Sequence, residues 1–131
     1  MLDPSCSGSG MMQKNVLDKD DRNEKDQQRI ENLANFQFKL VSTAIEIPTV
    51  ERIVYSTCSI YKEENEWLVQ KVLNSHENWK LRDAHLTENL AGWAGKGISG
   101  NKEVDDFVIR LSPEKHNTQG FFVACFEKIN K

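Results

Sequence analysis

The first strong pattern of apolar residues lies between about Gln28 and Ile45. Apolar side chains recur there every three or four residues, which predicts an amphipathic α-helix that Pro48 ends. The positions that form this pattern are Ile30, Leu33, Ala34, Gln37, Leu40, Val41, Ala44 and Ile45. Arg52–Ser56 comes next. It is short, β-branched and nearly all apolar, so it predicts a buried strand of the kind found in parallel sheets.

A second helix is predicted from about Lys62 to Ser75. Its opening turns hold several glutamates, which complement the positive end of a helix dipole. These glutamates are Glu63, Glu64 and Glu66, and the predicted apolar face consists of Trp67, Leu68, Val72 and Leu73. Residues 76–104 contain several glycines and no clear period, so we predict irregular structure there.

Two further strands are predicted near the end of the chain, at Phe107–Leu111 and Gly120–Glu127. The connection between them is too short for a crossover helix, so they should pair antiparallel. The order helix, strand, helix, loop and hairpin predicts the second half of an open α/β sheet that ends in an antiparallel hairpin. We interpret Leu2 and Asp3 as the last step of another strand whose earlier residues are missing.

The composition suits one domain of modest size, with 38% hydrophobic and 28% charged residues among 131. A net charge of -3, with 17 basic residues scattered among 20 acidic ones, is unfavourable for a domain that binds nucleic acid by itself. Residues 13–28 are dense in charge and predict a flexible loop. No apolar run approaches the ~20 residues of a membrane helix. The cysteines and histidines lack the ligand spacing of a zinc site, so no metal site is predicted.

Two cysteines lie in segments suited to chemistry. Cys6 belongs to the segment DPSCSGSG, residues 3–10, whose small side chains would let a planar ligand approach the backbone. An ordinary glycine–serine turn is the alternative. Cys58 stands between a predicted strand and a predicted helix, where the helix dipole would favour its thiolate. A buried, unreactive cysteine is the alternative. Because both follow strand ends, they should line one ligand-binding edge of a parallel sheet.

These segments together resemble the Nop/Sun family of RNA cytosine-5 methyltransferases. The segment DPSCSGSGM is close to the first cysteine motif of that family, and its order is similar to that of the subfamily that modifies large-subunit ribosomal RNA. YSTCS at residues 55–59, followed by EENE at residues 63–66, is similar to the second cysteine motif and the helix behind it. The intervening helix and the terminal hairpin also match, so the resemblance spans the chain except for residues 13–28 and most of 76–104.

The resemblance implies the C-terminal half of a Rossmann-like sheet of an S-adenosylmethionine-dependent methyltransferase, with residues 1–131 as a partial catalytic domain. It implies that Cys58 attacks C6 of a cytosine and that Cys6 assists the later elimination. It also implies that Asp3 lies against the cofactor and the target base. The expected cofactor is S-adenosylmethionine, and the expected partner is RNA, specifically large-subunit ribosomal RNA. The expected location is the nucleus, within the nucleolus, if the organism is a eukaryote.

Other motifs of this family precede the first cysteine motif and are absent from the chain: the glycine-rich cofactor loop, the acidic residue after the second strand, and the motif lysine. We therefore expect the isolated chain to be inactive. One alternative is a catalytically inactive, truncated isoform or remnant that serves as an interaction module. Another is a thiol-dependent hydrolase, which would need His85 or His116 placed against Cys58.

Overall fold

The last strand of the chain organises the sheet. The structure, a computed structural model, describes residues 1–11, 23–86, 95–113 and 118–130. Its strands are β1 (Arg52–Thr57), β2 (Trp79–Arg82), β3 (Ile109–Leu111) and β4 (Phe121–Lys128). β4 pairs antiparallel with β1 along one edge, and with β2 and β3, placed end to end, along the other. The predicted antiparallel pairing of the last two strands is thus confirmed.

β1 also has a partner on its other edge. Leu2 forms a parallel bridge with Tyr55, in which the Leu2 N–H donates to the Val54 carbonyl at 2.7 Å. The Leu2 carbonyl in turn accepts from the Ser56 N–H at 3.0 Å. The predicted buried strand is confirmed and has mixed partners, since it runs parallel to Leu2 and antiparallel to β4. Because Leu2 and β1 run in the same direction, the segments that follow them lie side by side.

The first helix, α1 (Glu24–Ile45), begins earlier than the predicted start near Gln28. A capping box at Asn23 explains the difference. The Asn23 side chain accepts from the Asp26 N–H at 2.8 Å, and the Asp26 carboxylate accepts from the Asn23 N–H at 3.4 Å. The loop predicted over residues 13–28 was therefore wrong for its last part, which is helical. Its first part lies outside the described residues.

The second predicted helix is divided in two. A 3₁₀ turn covers Lys62–Glu64, and the α-helix, α2 (Glu66–Ser75), follows it. Asn65 separates them because its side chain is bound to the end of β1 and to the loop that follows. It donates to the Ser59 carbonyl at 2.9 Å and accepts from the Thr57 hydroxyl at 2.6 Å. The polar contacts of one residue thus shorten the helix that the sequence predicts.

The buried face of α2 differs from the prediction at Trp67 and Val69. Leu68 and Val72 are buried as predicted, and Val69 between them is fully buried. Trp67 is 49% exposed, so its assignment to the apolar face was wrong. The three buried residues share one side of the helix at helical spacing, and Trp67 falls beside that side.

Part of the segment predicted to be irregular, residues 76–104, forms short elements. β2 alternates two apolar with two basic residues over only four positions, a signal too short to stand out in the sequence. Its pairing with β4 defines it as a strand. The short helix α3 (Lys102–Asp105) begins after Asn101, whose side chain accepts from the Glu103 N–H at 3.0 Å. Residues 87–94 lie outside the described part of the chain.

The helices cover one face of the sheet, where the main core lies. Its buried members are Val41, Ile45, Ile53, Tyr55, Leu68, Val69, Val72, Trp79, Val104, Val108, Phe122, Ala124 and Phe126. A smaller cluster on the other face consists of Ala84, Ile109, Val123 and Cys125. β4 supplies alternate residues to both clusters, as the two-residue period of a strand requires. Among the described residues, no helix combines the length and the apolarity needed to cross a membrane.

Candidate active site

The two cysteines predicted to share an edge lie in contact. Cys6 belongs to the segment after Leu2, residues 3–11, here called the Cys6 loop. Cys58 belongs to the segment after β1, residues 58–61, here called the Cys58 loop. Cys6 Sγ and Cys58 Sγ are 3.1 Å apart, and both side chains are half-buried. The predicted meeting of the two cysteines at one edge is therefore confirmed.

Two glycines join the Cys6 loop to the Cys58 loop and to the start of β4. The Gly10 N–H donates to the Cys58 carbonyl, and the Gly120 N–H donates to the Gly10 carbonyl, each at 2.8 Å. A Cβ atom on Gly10 would lie 2.6 Å from the Cys58 carbonyl oxygen, and one on Gly120 would lie 2.6 Å from Gly10 Cα. Glycine is required at both positions, since no side chain fits between these backbones. The backbone of Cys58 is thereby tied to β4.

Asp3 stands beside the cysteine pair. Its carboxylate is exposed and accepts a hydrogen bond from the hydroxyl of Ser56, near the end of β1, at 3.2 Å. An exposed carboxylate at this edge can accept further hydrogen bonds from the N–H or O–H groups of a ligand. The structure thus brings all three predicted site residues to one place.

The environment of Cys58 favours its neutral thiol. Burial is the largest cause, followed by the hydrogen bond with Cys6 and by the negative charges of Cys6 and Asp3, and together they raise the pKa of Cys58 to about 11. The expectation that a helix dipole favours the thiolate was wrong. α2 begins only at Glu66, beyond the 3₁₀ turn, so its first turn does not adjoin the thiol.

A buried carboxylate lies behind the cysteines, and the sequence did not single it out as a site residue. Glu64 is fully buried, and its two oxygens accept hydrogen bonds from Ser7, Gln37 and Ser59. Its backbone carbonyl accepts from the Tyr55 hydroxyl at 2.7 Å. In the sequence Glu64 was one of several glutamates that predict a helix start. That pattern does not distinguish a glutamate that points inward from one that faces solvent.

His85, one of the two histidines named for the hydrolase alternative, has other partners. His85 Nδ1 lies 2.7 Å from an Asp83 carboxylate oxygen, and His85 Nε2 lies 3.1 Å from the Gly95 carbonyl oxygen. Both ring nitrogens are thus engaged away from Cys58. His116 lies outside the described residues. In the described part of the chain, no three histidine, cysteine, aspartate or glutamate side chains are grouped so that they could hold a metal ion.

Solved structures that share this fold include a methyltransferase homolog protein from Pyrococcus horikoshii, which superimposes with a TM-score of 0.69 at 27% sequence identity, and the match covers 97% of this chain and 37% of that one. The crystal structure of NSun6 from Pyrococcus horikoshii with SFG superimposes with a TM-score of 0.72 at 29% sequence identity, and the match covers 99% of this chain and 29% of that one. The fold of this chain is therefore that of the methyltransferase class of α/β folds.

The family model of the 16S rRNA methyltransferase RsmB/F matches residues 1–127, and the chain belongs to this family. It is 39% identical over 128 residues to a 28S rRNA (cytosine-C(5))-methyltransferase of Mus musculus, a match that covers 98% of the chain and 26% of the relative. It is 36% identical over 129 residues to a 25S rRNA (cytosine-C(5))-methyltransferase of Schizosaccharomyces pombe, covering 95% and 28%. The resemblance to the Nop/Sun methyltransferases that act on large-subunit ribosomal RNA is confirmed. The chain spans about a quarter of the length of these relatives.

Proposed function

We propose that this chain carries the nucleophile and the release group of an enzyme that methylates C5 of a cytosine in large-subunit ribosomal RNA. The observation that carries the proposal is the contact between Cys6 and Cys58, whose sulfur atoms are 3.1 Å apart at the edge where both loops leave the sheet. The names of the relatives support the reaction and the kind of RNA. A covalent mechanism is supported by the chemistry of cytosine, whose C5 is too poor a nucleophile to be methylated directly.

Cys58 is the proposed nucleophile. After its thiol loses a proton, the thiolate forms a bond to C6, and the electron pair of the C5–C6 double bond moves to C5. C5 then becomes nucleophilic enough to accept a methyl group. Since C5 and C6 are stacked inside a helix, the target base must be single-stranded or flipped out when Cys58 attacks.

Cys6 is the proposed release group. After methylation, C5 still carries its original hydrogen, and the Cys58–C6 bond persists until that hydrogen leaves as a proton. A Cys6 thiolate takes this proton, the C5–C6 double bond re-forms, and Cys58 departs as a thiolate. The contact between the two sulfur atoms supports this role, because a group that removes the C5 proton must lie close to the atom bonded to C6.

Asp3 is the proposed contact to the cofactor and to the base. Its exposed carboxylate beside the cysteines can accept hydrogen bonds from cytosine or from the amino and hydroxyl groups of S-adenosylmethionine. S-adenosylmethionine supplies the methyl group from its sulfonium when it is bound. The NSun6 structure with SFG, an analogue of S-adenosylmethionine, supports this choice of cofactor.

Methyl transfer to large-subunit ribosomal RNA by the intact protein tests the proposal. Cys58→Ala should lower the rate at least about 1,000-fold, because the group that activates C5 is lost. Cys125→Ala is the matched control, since Cys125 is buried in the small cluster on the face of the sheet away from α1 and α2 and should leave the rate near that of the wild type. Near-normal turnover by Cys58→Ala would exclude Cys58 as the nucleophile.

A further inference from the structure

The carboxylate of Glu64 is enclosed by hydrogen-bond donors and has no cationic partner among the described residues. Glu64 Oε1 accepts from the Ser7 N–H at 2.8 Å and from Gln37 Nε2 at 3.1 Å. Glu64 Oε2 accepts from the Ser7 hydroxyl at 2.7 Å and, through a shorter bond, from the Ser59 hydroxyl. These four bonds occupy the accepting positions of both carboxylate oxygens, so the buried side chain is not left without hydrogen-bond partners.

Three of the four donors belong to the Cys6 and Cys58 loops. Ser7 is the neighbour of Cys6 in the Cys6 loop, and Ser59 is the neighbour of Cys58 in the Cys58 loop. A single side chain therefore binds the residue next to each cysteine. The hydroxyl oxygens of Ser7 and Ser59 lie 3.2 Å apart, and the hydroxyl oxygen of Ser9 lies 3.3 Å from that of Ser59.

The position of Glu64 is itself fixed from behind. The Tyr55 hydroxyl donates to the Glu64 carbonyl at 2.7 Å, and the Gln37 amide that binds Glu64 also donates to the Ser5 carbonyl at 3.0 Å. Burial and the charge of Glu64 raise the pKa of Tyr55, so the Tyr55 hydroxyl keeps its proton and remains a donor. Helix α1 and strand β1 thus support the carboxylate that supports the cysteines.

We infer that Glu64 is a positioning residue whose buried carboxylate holds the Cys6 and Cys58 loops together so that the two thiols meet. The consequence for methylation rests on the proposed function, and the consequence for the distance between the thiols does not. Glu64 touches neither sulfur atom through a hydrogen bond, so it acts through Ser7 and Ser59.

The arrangement of donors decides which substitutions are tolerated. Oε1 faces two N–H groups that can only donate, whereas Oε2 faces two hydroxyls that can also accept. In Glu64→Gln the amide oxygen can replace Oε1, and the amide NH₂ can donate to the hydroxyls once they rotate. Glu64→Ala leaves all these donors without an acceptor. Glu64→Asp keeps the charge but is shorter by one methylene, so its carboxylate cannot bind both loops.

Formation of a Cys6–Cys58 disulfide in a glutathione buffer measures the proximity of the thiols directly. The two thiols reduce one molecule of oxidised glutathione, which gives one protein disulfide and two molecules of reduced glutathione. We expect the wild-type protein to form this disulfide. Glu64→Gln should form it with an equilibrium constant close to that of the wild type. Glu64→Ala and Glu64→Asp should each lower the equilibrium constant at least about tenfold, because loops no longer held together lose the effective concentration of one thiol at the other.

Val72→Ala is the control for general destabilisation, since Val72 is fully buried in α2 but does not contact either loop through the hydrogen bonds described. Equal disulfide formation in the wild type, Glu64→Ala and Glu64→Asp would overturn the inference, as would an equal loss in Val72→Ala. If Glu64→Ala does not fold, Glu64→Asp against Glu64→Gln still decides the question. An enzyme that shows the expected disulfide behaviour but no methyl transfer would contradict the proposed function alone.

Discussion

At the end of β1, the Cys58 thiol is surrounded by groups that keep its proton in place. Burial, the hydrogen bond with Cys6 and the nearby negative charges raise its pKa to about 11. Only the thiolate is a strong nucleophile, so the reactive form is scarce in the free protein at neutral pH. In the proposed mechanism, a fall in the pKa of Cys58 on substrate binding would raise the fraction of reactive thiolate at neutral pH.

Alkylation of Cys58 by iodoacetamide should follow this pKa. In the protein without RNA, the midpoint of the rate should lie near pH 11, because a raised pKa moves thiolate formation to higher pH. Cys6→Ala removes a hydrogen bond and a negative charge that raise the pKa, so the midpoint should move down while burial holds it above the ordinary value of a thiol. Mass spectrometry of the peptide that contains Cys58 measures the rate. An identical profile in Cys6→Ala would mean that the two thiols do not interact.

At the scale of single residues, the sequence predicted where the candidate site residues lie better than it predicted their burial and the pKa of Cys58. Cys6 and Cys58 were singled out because each follows a predicted strand end, a property that a local pattern records, and Asp3 was singled out because the family resemblance implies a role for it. The direction of the Cys58 pKa shift was wrong, and Glu64 was not recognised, because burial depends on contacts between residues far apart in the chain.

At the scale of elements, a buried ion pair joins β3 to α2. The Arg110 guanidinium forms a bidentate pair with the Glu66 carboxylate, in which Arg110 Nε donates to Glu66 Oε2 at 2.8 Å. A further donor, Arg110 Nη1, binds the Ile60 carbonyl in the Cys58 loop at 2.8 Å. Arg110 thus links a strand, a helix and the loop that carries the proposed nucleophile.

Removal of Arg110 should be costly, because it leaves a fully buried carboxylate without its cation. Arg110→Met should lower the free energy of unfolding by about 3–5 kcal/mol. Arg110→Met combined with Glu66→Met should recover part of that loss, since no unpaired charge remains. Urea denaturation of the variants measures both values. A loss of unfolding free energy as small as that of an exposed ion pair would show that Glu66 is not buried as the structure describes.

The junction of Gly10 and Gly120 should not tolerate a side chain. A Cβ in Gly120→Ala meets the backbone of Gly10, so the junction must open at a cost of about 1–3 kcal/mol. Gly8→Asn is a suitable control. Gly8 has a positive φ that asparagine tolerates, and nothing lies within 4 Å of its added Cβ. Thermal unfolding compares the two variants, and equal stability would mean that the loops do not approach β4 as closely as described.

The elements that the sequence predicted well are the long or strongly apolar ones. α1, β1 and β4 carry many positions of one period, so single exceptions do not hide them. β2 has only four residues and depends on its pairing with β4. The start of α2 depends on the side-chain bonds of Asn65 to the loop after β1. Both are results of tertiary contact, which a local pattern does not contain.

At the scale of the whole molecule, the charges do not favour a strong hold on RNA by this chain alone. Its net charge is -3. Three basic residues gather on the sheet at Arg52, Lys80 and Arg82, but all three lie within salt-bridge distance of Glu127. They stand near the beginning of β1, whereas the cysteines follow its end. We therefore expect this chain to contribute reactive groups at the target base and to contribute little of the affinity for the phosphate backbone.

Covalent capture of RNA by Cys6→Ala tests the central claim most directly, namely that Cys58 attacks the base and Cys6 releases it. The intact protein carrying Cys6→Ala is incubated with large-subunit ribosomal RNA and S-adenosylmethionine and then separated on a denaturing gel. The account predicts a slowly migrating protein–RNA band, which disappears in Cys6→Ala combined with Cys58→Ala. The absence of this band while Cys58 is intact, under conditions in which the wild type turns over, would contradict the division of roles between the two cysteines.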